Sequence, residues 1–255
     1  FVYKYNGYEM LLTTLANSKV VIDEIQSYSP QNIGLLIAGL KMITEQGGKF
    51  AIVTATFPKV IYKLFDKYNI KVGPVKVFHN PKLPQRHRMK VMGDEFDYEK
   101  IKALGMNKKI LIICNTVKSA INTYDKLIGI GANIKGLLHS RYIRKHRALI
   151  ESELLKFAEN NPNKRSEEPG IWITTQIVEA SLDVDFDILI SEACSIDSLL
   201  QRMGRVYRSR LYTGDEFNVY VVNNRNGVGK GDRAIIDEEI YERSIEAIFA
   251  YDGHI

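Results

Sequence analysis

The feature that most limits how this chain can fold is a series of short, mostly apolar runs separated by longer amphipathic ones. Residues 19–22, 50–53, 110–113, 134–138, 171–174, 187–190 and 217–222 are rich in Val, Ile and Leu, and most show little polar alternation. A strand with one wet face alternates apolar and polar residues. A strand without that alternation is covered on both faces, as in a parallel sheet. Between these runs lie stretches of helical period, 31–45, 59–68, 117–127, 141–159 and 196–206, with a last one from 232 to 250. This alternation predicts an α/β chain of parallel sheets with flanking helices.

A boundary is expected between 72 and 97, where Pro74, Pro81 and Pro84 accompany a basic run at 82–90. Prolines discourage helix and the charge favours exposure. Two strands precede this segment and about five follow it. The expected organisation is therefore the later part of one domain (1–85), a whole second domain (86–230) and a C-terminal helix (231–255). The chain opens in mid-pattern without a methionine, so it is expected to be a piece of a longer protein. The stretch 160–170 reads as a polar surface loop, and the basic run Arg86-His87-Arg88 as solvated charge. Trp172 reads as core.

No apolar run approaches the roughly 18–20 residues that span a bilayer, and no secretion leader is present, so no membrane is expected. Cys114 and Cys194, the only two cysteines, lie in apolar surroundings. They read as buried free thiols of a cytoplasmic protein and are too few for a usual zinc site. The net charge of +5 permits an acidic partner without requiring one.

Four segments carry chemistry. Asp23 and Glu24 follow the run 19–22, which places two carboxylates at the carboxyl edge of a sheet. There one suits a magnesium ion and the other an attacking water, although a solvated strand end has the same pattern. Thr54 and Thr56 follow 50–53 and read either as coupling hydroxyls or as a helix cap. The segment 174–185 (TTQIVEASLDVD) begins as a strand ends. Its Asp183, Asp185 and Asp187 do not form a calcium loop, because Ile188 and Cys194 stand where glycine and glutamate are needed. Finally, Arg202, Arg205 and Arg208 sit at i, i+3 and i+6, along one face if the helix continues through them. Guanidiniums so placed call for anions, and a γ-phosphate is one. No G-x-x-x-x-G-K-[ST] phosphate loop is present: Asn224 stands six residues before Lys230, and Ile43 six before Lys49.

In this order the segments resemble superfamily 2 helicases, whose motor is a pair of RecA-like domains. Asp23-Glu24-Ile25-Gln26 is similar to motif II, Thr54-Ala55-Thr56 to motif III and 110–119 (ILIICNTVKS) to motif IV. Residues 175–183 are similar to motif V and 201–208 (QRMGRVYR) to motif VI. ICNTVKSA, GLLHSRYIRKHR, TTQIVEASLDVDFD and IDSLLQRMGRVYR together resemble the CRISPR-associated helicase of type I interference. The resemblance implies one partial and one complete RecA-like domain and an ATP- and Mg2+-dependent single-stranded DNA translocase. It also implies a CRISPR surveillance complex and an HD nuclease as partners.

By the same resemblance Asp23 helps hold magnesium, Glu24 activates water, and Thr54 and Thr56 couple the two sites. Asp183 touches the ribose or the domain interface, Gln201 the γ-phosphate region, and Arg205 and Arg208 act as arginine fingers. Arg202 pairs with motif II. Thr175, Asn115, Thr116 and Arg141 are the nucleic-acid candidates, Arg141 within a basic cluster at 139–147 that equally suits an exposed helix start. The implied ATP site lies between the domains, and without a phosphate loop the chain alone is expected to be inactive. Three rivals share these residues: a binding module without chemistry, a superfamily 2 helicase of repair or RNA metabolism, and a metal-dependent nuclease using Asp23 and Glu24.

Overall fold

A computed structural model describes residues 2, 6–54, 57–74, 76–78, 85–179, 182–231 and 234–253. The chain divides into two compact units, Phe1–Asn80 and Pro81–Ile255.

In the first unit, helix α1 (Tyr8–Ala16) leads into strand β1 (Lys19–Asp23), helix α2 (Pro30–Glu45), strand β2 (Lys49–Val53) and helix α3 (Lys59–Lys67). β1 and β2 pair in parallel, from Lys19 opposite Lys49 to Asp23 opposite Val53. Val20, Ile22, Phe50 and Ile52 share one face and pack on Ile37, Leu40, Ile61 and Phe65 of α2 and α3. On the opposite face Val21 and Val53 remain 65% and 57% exposed.

The second unit contains β3 (Met89–Met92), α4 (Tyr98–Gly105), β4 (Lys109–Ile113), α5 (Val117–Gly129), β5 (Ile134–Leu138), α6 (Arg144–Phe157) and β6 (Gly170–Thr174). It continues with β7 (Ile188–Glu192), α7 (Ile196–Met203), β8 (Val219–Val222), the two-residue strands β9 (Val228–Gly229) and β10 (Ile236–Asp237), and α8 (Glu238–Ala250). Six strands form one sheet in the order β3-β8-β7-β4-β6-β5. Every pair in it is parallel. β4, β6 and β7 are buried at every residue, which is why their sequences do not alternate.

One core lies on each face of this sheet. Leu111, Ile113, Trp172, Leu189 and Val221 pack with Leu154, Phe157, Leu199, Tyr241 and Ile248. Ile110, Ile112, Ile171, Ile173 and Ile190 pack with Ile101, Ala120 and Leu127. No helix among the described residues is long and apolar enough to cross a membrane.

The structure differs from the sequence expectation in places. Met89–Met92, inside the expected linker, is a strand at the edge of the sheet, where pairing on one side leaves Lys90 exposed. Two further helices, α1 and α4, were not expected. α1 buries none of its residues and so lacks an apolar stripe. α4 is short and opens on Asp97, whose side chain accepts the Lys100 N–H at 3.0 Å. The last helix starts at Glu238 rather than 232, because Asp237 caps the backbone N–H groups of Glu239 and Ile240.

Trp172 is 1% exposed, in the core as expected. Its ring lies across Gly136, its partner in the β5–β6 register, and a Cβ on that glycine would come within 2.4 Å of the indole. Gly136→Ala is therefore expected to destabilise the second unit by about 1–3 kcal/mol through overpacking. Thermal unfolding followed by the fluorescence of Trp172 measures this, and an unchanged midpoint would contradict it.

Candidate functional site

Because the six strands of the second unit run the same way, their carboxyl ends open on one edge. The turns there are 114–116 after β4, 139–141 after β5, 175–179 after β6, 193–195 after β7 and 223–226 after β8. β4 lies between β6 and β7, so the chain runs to one side of it and then to the other. Open α/β sheets bind ligands beside such a reversal.

Arg202, on the last turn of α7, is 1% exposed. Its Nε donates to Glu179 Oε1 at 2.7 Å, one terminal nitrogen to Ser191 Oγ at 2.8 Å and the Glu192 carbonyl at 3.1 Å, and the other to Asn115 Oδ1 at 2.9 Å. This corrects the expected pairing of Arg202 with motif II: its carboxylate partner is Glu179, at the end of the motif V segment.

Asn115 is corrected too. Expected to touch nucleic acid, it is 1% exposed and fully committed. Its amide nitrogen donates to the carbonyls of Ala193 (2.7 Å) and Asn226 (3.0 Å), and its carbonyl accepts from Gln176 at 2.7 Å. Its backbone N–H donates to Glu192 Oε2 at 2.6 Å. Glu192, itself 0% exposed, also accepts from Ser119, Asn224 and Asn226. Glu179, Glu192, Gln176 and Asn226 were not singled out from the sequence. The signal for Glu192 was a lone carboxylate closing the apolar run of β7.

The three arginines do not share a helical face. α7 ends at Met203, and Arg205 and Arg208 follow in a tight turn. Arg205, 9% exposed, donates to the carbonyls of Leu182 and Glu179, bracing the motif V segment. Tyr207 has φ of 47°, a left-handed conformation that costs a bulky side chain about 1–3 kcal/mol and is held only where its surroundings impose it. Arg208, by contrast, has an exposed head. Its Nε lies 2.8 Å from Asp183 Oδ1, in a pair whose side chains are 38% and 66% exposed. Such a pair contributes at most about 1 kcal/mol and is readily exchanged for another anion. Gln201 is half-buried on α7, one position before Arg202.

Thr175 is buried at the end of β6 and lines a cavity of about 380 Å3 with Ser140, Gln176, Ser195 and Ser198 on one side and Ile235, Ile236 and Ile240 on the other. Thr116 caps α5, accepting the Ser119 N–H at 3.0 Å. Arg141 is exposed in the turn before α6, and its N–H donates to His139 Nδ1 at 3.3 Å. The His139 ring stacks on Tyr142 at 4.2 Å.

The run at 86–88 is not loose charge. Arg86 donates to the Arg208 carbonyl at 2.9 Å, and Arg88 to the Asp215 carbonyl at 2.8 Å. The His87 ring lies 2.9 Å from the Val206 carbonyl, and burial lowers its pKa.

In the first unit Asp23 is exposed at the end of β1, and Glu24 follows with φ of 49°. Glu24 Oε2 accepts from Gln26 and, at 3.3 Å, from the Thr54 hydroxyl, and Thr54 Oγ1 lies 2.6 Å from Gln26 Oε1. The ends of β1 and β2 are thus joined by side chains. Thr56 lies outside the described residues.

Comparison with known proteins bears on this edge. The family described as "CRISPR-associated nuclease/helicase Cas3, C-terminal" matches residues 106–211. A Cas3 nuclease/helicase of Methanothermobacter thermautotrophicus is 28% identical over 268 residues, covering 98% of this chain and 31% of its own length. The chain is Cas3-like. The Escherichia coli Cas3 endonuclease/helicase is 29% identical over 253 residues, covering 85% of this chain and 28% of its own. This Cas3-like chain thus spans less than a third of the length of these relatives.

In fold it matches T. fusca Cas3 bound to ADP, with a TM-score of 0.76 at 20% identity, over 94% of this chain and 34% of that one. It also matches a chain of a CRISPR RNA-guided surveillance complex, pre-nicking, at a TM-score of 0.71 and 19% identity, over 95% and 36%. The RecA-like α/β fold and the resemblance to superfamily 2 CRISPR helicases are both borne out.

Two outcomes are expected. Arg202→Ala leaves Glu179 and Asn115 without their buried partner and should cost about 3–5 kcal/mol in urea unfolding of the second unit; a loss below 1 kcal/mol would mean the network is slack. Burial pushes the Cys114 thiol up to about 12, helped by the nearby Glu192 charge, and Cys194 up to about 11, both from 9.0. Raised pKa values mean that this contribution to stability is whole below pH 9 and lost as pH rises through 11 to 12. At pH 8 neither thiol should react with iodoacetamide until the protein unfolds, and rapid labelling of the native state would contradict this.

Proposed function

We propose that this chain is the later part of an ATP-driven motor that moves along single-stranded DNA in type I CRISPR interference. The observation that carries the reading is the meeting of 114–116, 175–179 and 202–208 on one edge of a parallel sheet. These are the segments that resemble motifs IV, V and VI. Residues 1–85 are read as the later part of one RecA-like domain, 86–230 as the second and 231–255 as a closing helix. The one-sided covering of β1 and β2 favours this, since parallel strands are ordinarily covered on both faces.

Asp23 would hold magnesium through the phosphates of ATP. Among the described residues no group of three or more His, Cys, Asp or Glu could hold a metal alone. That suits an ion which arrives with a nucleotide and needs one protein carboxylate. The bound triphosphate supplies the phosphoryl group and the charge that grows on it.

Glu24 orients the attacking water, and Thr54 and Thr56 pass the state of this end to the nucleic-acid site. Arg208 exchanges Asp183 for the γ-phosphate, near Gln201, and frees Asp183 for the ribose. Arg205 serves by holding the motif V segment in place. Thr175, Thr116 and Arg141 meet the backbone of the strand, which needs positive charge and hydrogen-bond donors rather than base readout. From the names of the relatives we draw a CRISPR surveillance complex and an HD nuclease as partners, and the cytoplasm as the place of action.

The experiment compares the isolated chain with the intact protein and its Arg208→Ala variant in single-strand-stimulated ATP hydrolysis. The chain alone should turn over negligibly, since it carries no phosphate loop. In the intact protein Arg208→Ala should lower kcat by about a thousandfold or more with little change in the KM for ATP. Turnover by the chain alone, or an unaltered kcat in the variant, would overturn the corresponding part of the reading.

A further inference from the structure

The stretch 160–170, a polar loop by its sequence, contributes one side chain that is not at the surface. Arg165 is 6% exposed. It donates to the backbone carbonyl of Asp185 and, at 2.8 Å, to Asp187 Oδ1. Arg210 meets the same two carboxylates, with Nε 2.5 Å from Asp185 Oδ2 and a terminal nitrogen 2.9 Å from Asp187 Oδ1. Asp185 is completely buried, and its other oxygen accepts the backbone N–H of Arg208 at 3.0 Å. Two guanidiniums and two carboxylates thus close a network whose one outward connection, beyond the Lys109 N–H held by Asp187, is the backbone of Arg208.

What this network holds is strained. Tyr207, with its left-handed φ, stands directly before Arg208 and lies with its ring 4.3 Å from the Arg210 guanidinium. On the other side Arg86 donates to the Arg208 carbonyl. The backbone of Arg208 is therefore fixed at both its N–H and its C=O, while its head is exposed and held by a weak surface pair. A fixed stem under a releasable head is what an arginine needs if it is to meet a phosphate in one orientation. An arginine fork can satisfy both aspartates in a plane, which a lysine cannot.

We propose that Arg165, with Arg210, Asp185 and Asp187, forms a positioning clamp that aims the Arg208 guanidinium at the γ-phosphate. The proposal rests on the reading of Arg208 given above. It adds a residue from outside every helicase-like motif to the hydrolytic machinery, acting through Arg208 rather than on the nucleotide.

The test is a double-mutant cycle in the intact protein, measuring kcat and KM for ATP with single-stranded DNA present. Arg165→Gln should lower kcat by about 10- to 100-fold, the loss expected for a misplaced group of about 1 Å, with KM nearly unchanged. Arg165→Lys should recover only part of it. In an Arg208→Ala background Arg165→Gln should cost nothing further, since no head remains to be aimed. A wild-type kcat for Arg165→Gln, or an equal loss in both backgrounds, overturns the clamp. If Arg165→Gln proves insoluble, Arg165→Lys is put through the same cycle and judged by the same two outcomes. If Arg208→Ala itself leaves turnover unchanged, the reading of Arg208 falls and the clamp with it. If Arg208→Ala slows turnover and no Arg165 change does, the clamp alone falls.

Discussion

A guanidinium cannot shed its charge, so one taken out of water must find acceptors for its donors wherever the fold leaves it. Arg202 is that group here, and its acceptors come from three turns: Glu179 after β6, Ser191 and Glu192 at the end of β7, and Asn115 after β4. Because the guanidinium is planar, these acceptors must lie close to one plane, which fixes the three turns against one another. Asn115 and Glu192 extend the same constraint to Gln176 and to the turn after β8. The carboxyl edge of the sheet therefore behaves as one piece, and anything that grips one of these turns acts on all of them.

On that edge the arginines divide the work by burial. Arg202 and Arg205 are spent on the protein itself, on a carboxylate, a hydroxyl, an amide and backbone carbonyls. Removing either leaves buried acceptors unpaired, so their loss confuses stability with chemistry. Arg208 is the arginine of the segment with an exposed head, and its partner Asp183 contributes too little to hold it against a stronger anion. Its stem is set by groups far away in sequence: Asp185 on one side, Arg86 on the other, and behind Asp185 the side chains of Arg165 and Arg210. Left-handed backbone occurs at Tyr207 and at Glu24, in the two segments assigned to hydrolysis. Strain of this kind survives where neighbouring bonds overdetermine the backbone.

Much of the architecture was legible in the chain because its central strands are buried on both faces. Residues 110–113 and 171–174 can be nothing else without exposing a continuous apolar run to water, and from them the parallel sheet and the position of the turns follow. The carboxylates and hydroxyls at strand ends were legible for the same reason, since a strand that stops at a sheet edge presents the next residues there. β3 and α4 were hidden. An edge strand is buried on one side only and tolerates lysine, and a helix of two turns carries too few apolar residues to show a period.

What the sequence determined alone is the fold class, the order of the chemistry-bearing segments and the edge on which those of the second unit emerge, because each follows from local pattern. Which arginine is structural and which is available was decided by tertiary structure. Spacing alone makes Arg202, Arg205 and Arg208 equivalent, but the helix ends at Met203, and from there each guanidinium is governed by partners 10 to 87 residues away in the chain. The same holds for Asn115, whose amide is consumed by the fold, and for Arg165, which leaves a polar loop to enter a buried ion network. Partners remote in sequence leave no local periodicity, so only the folded chain reveals them.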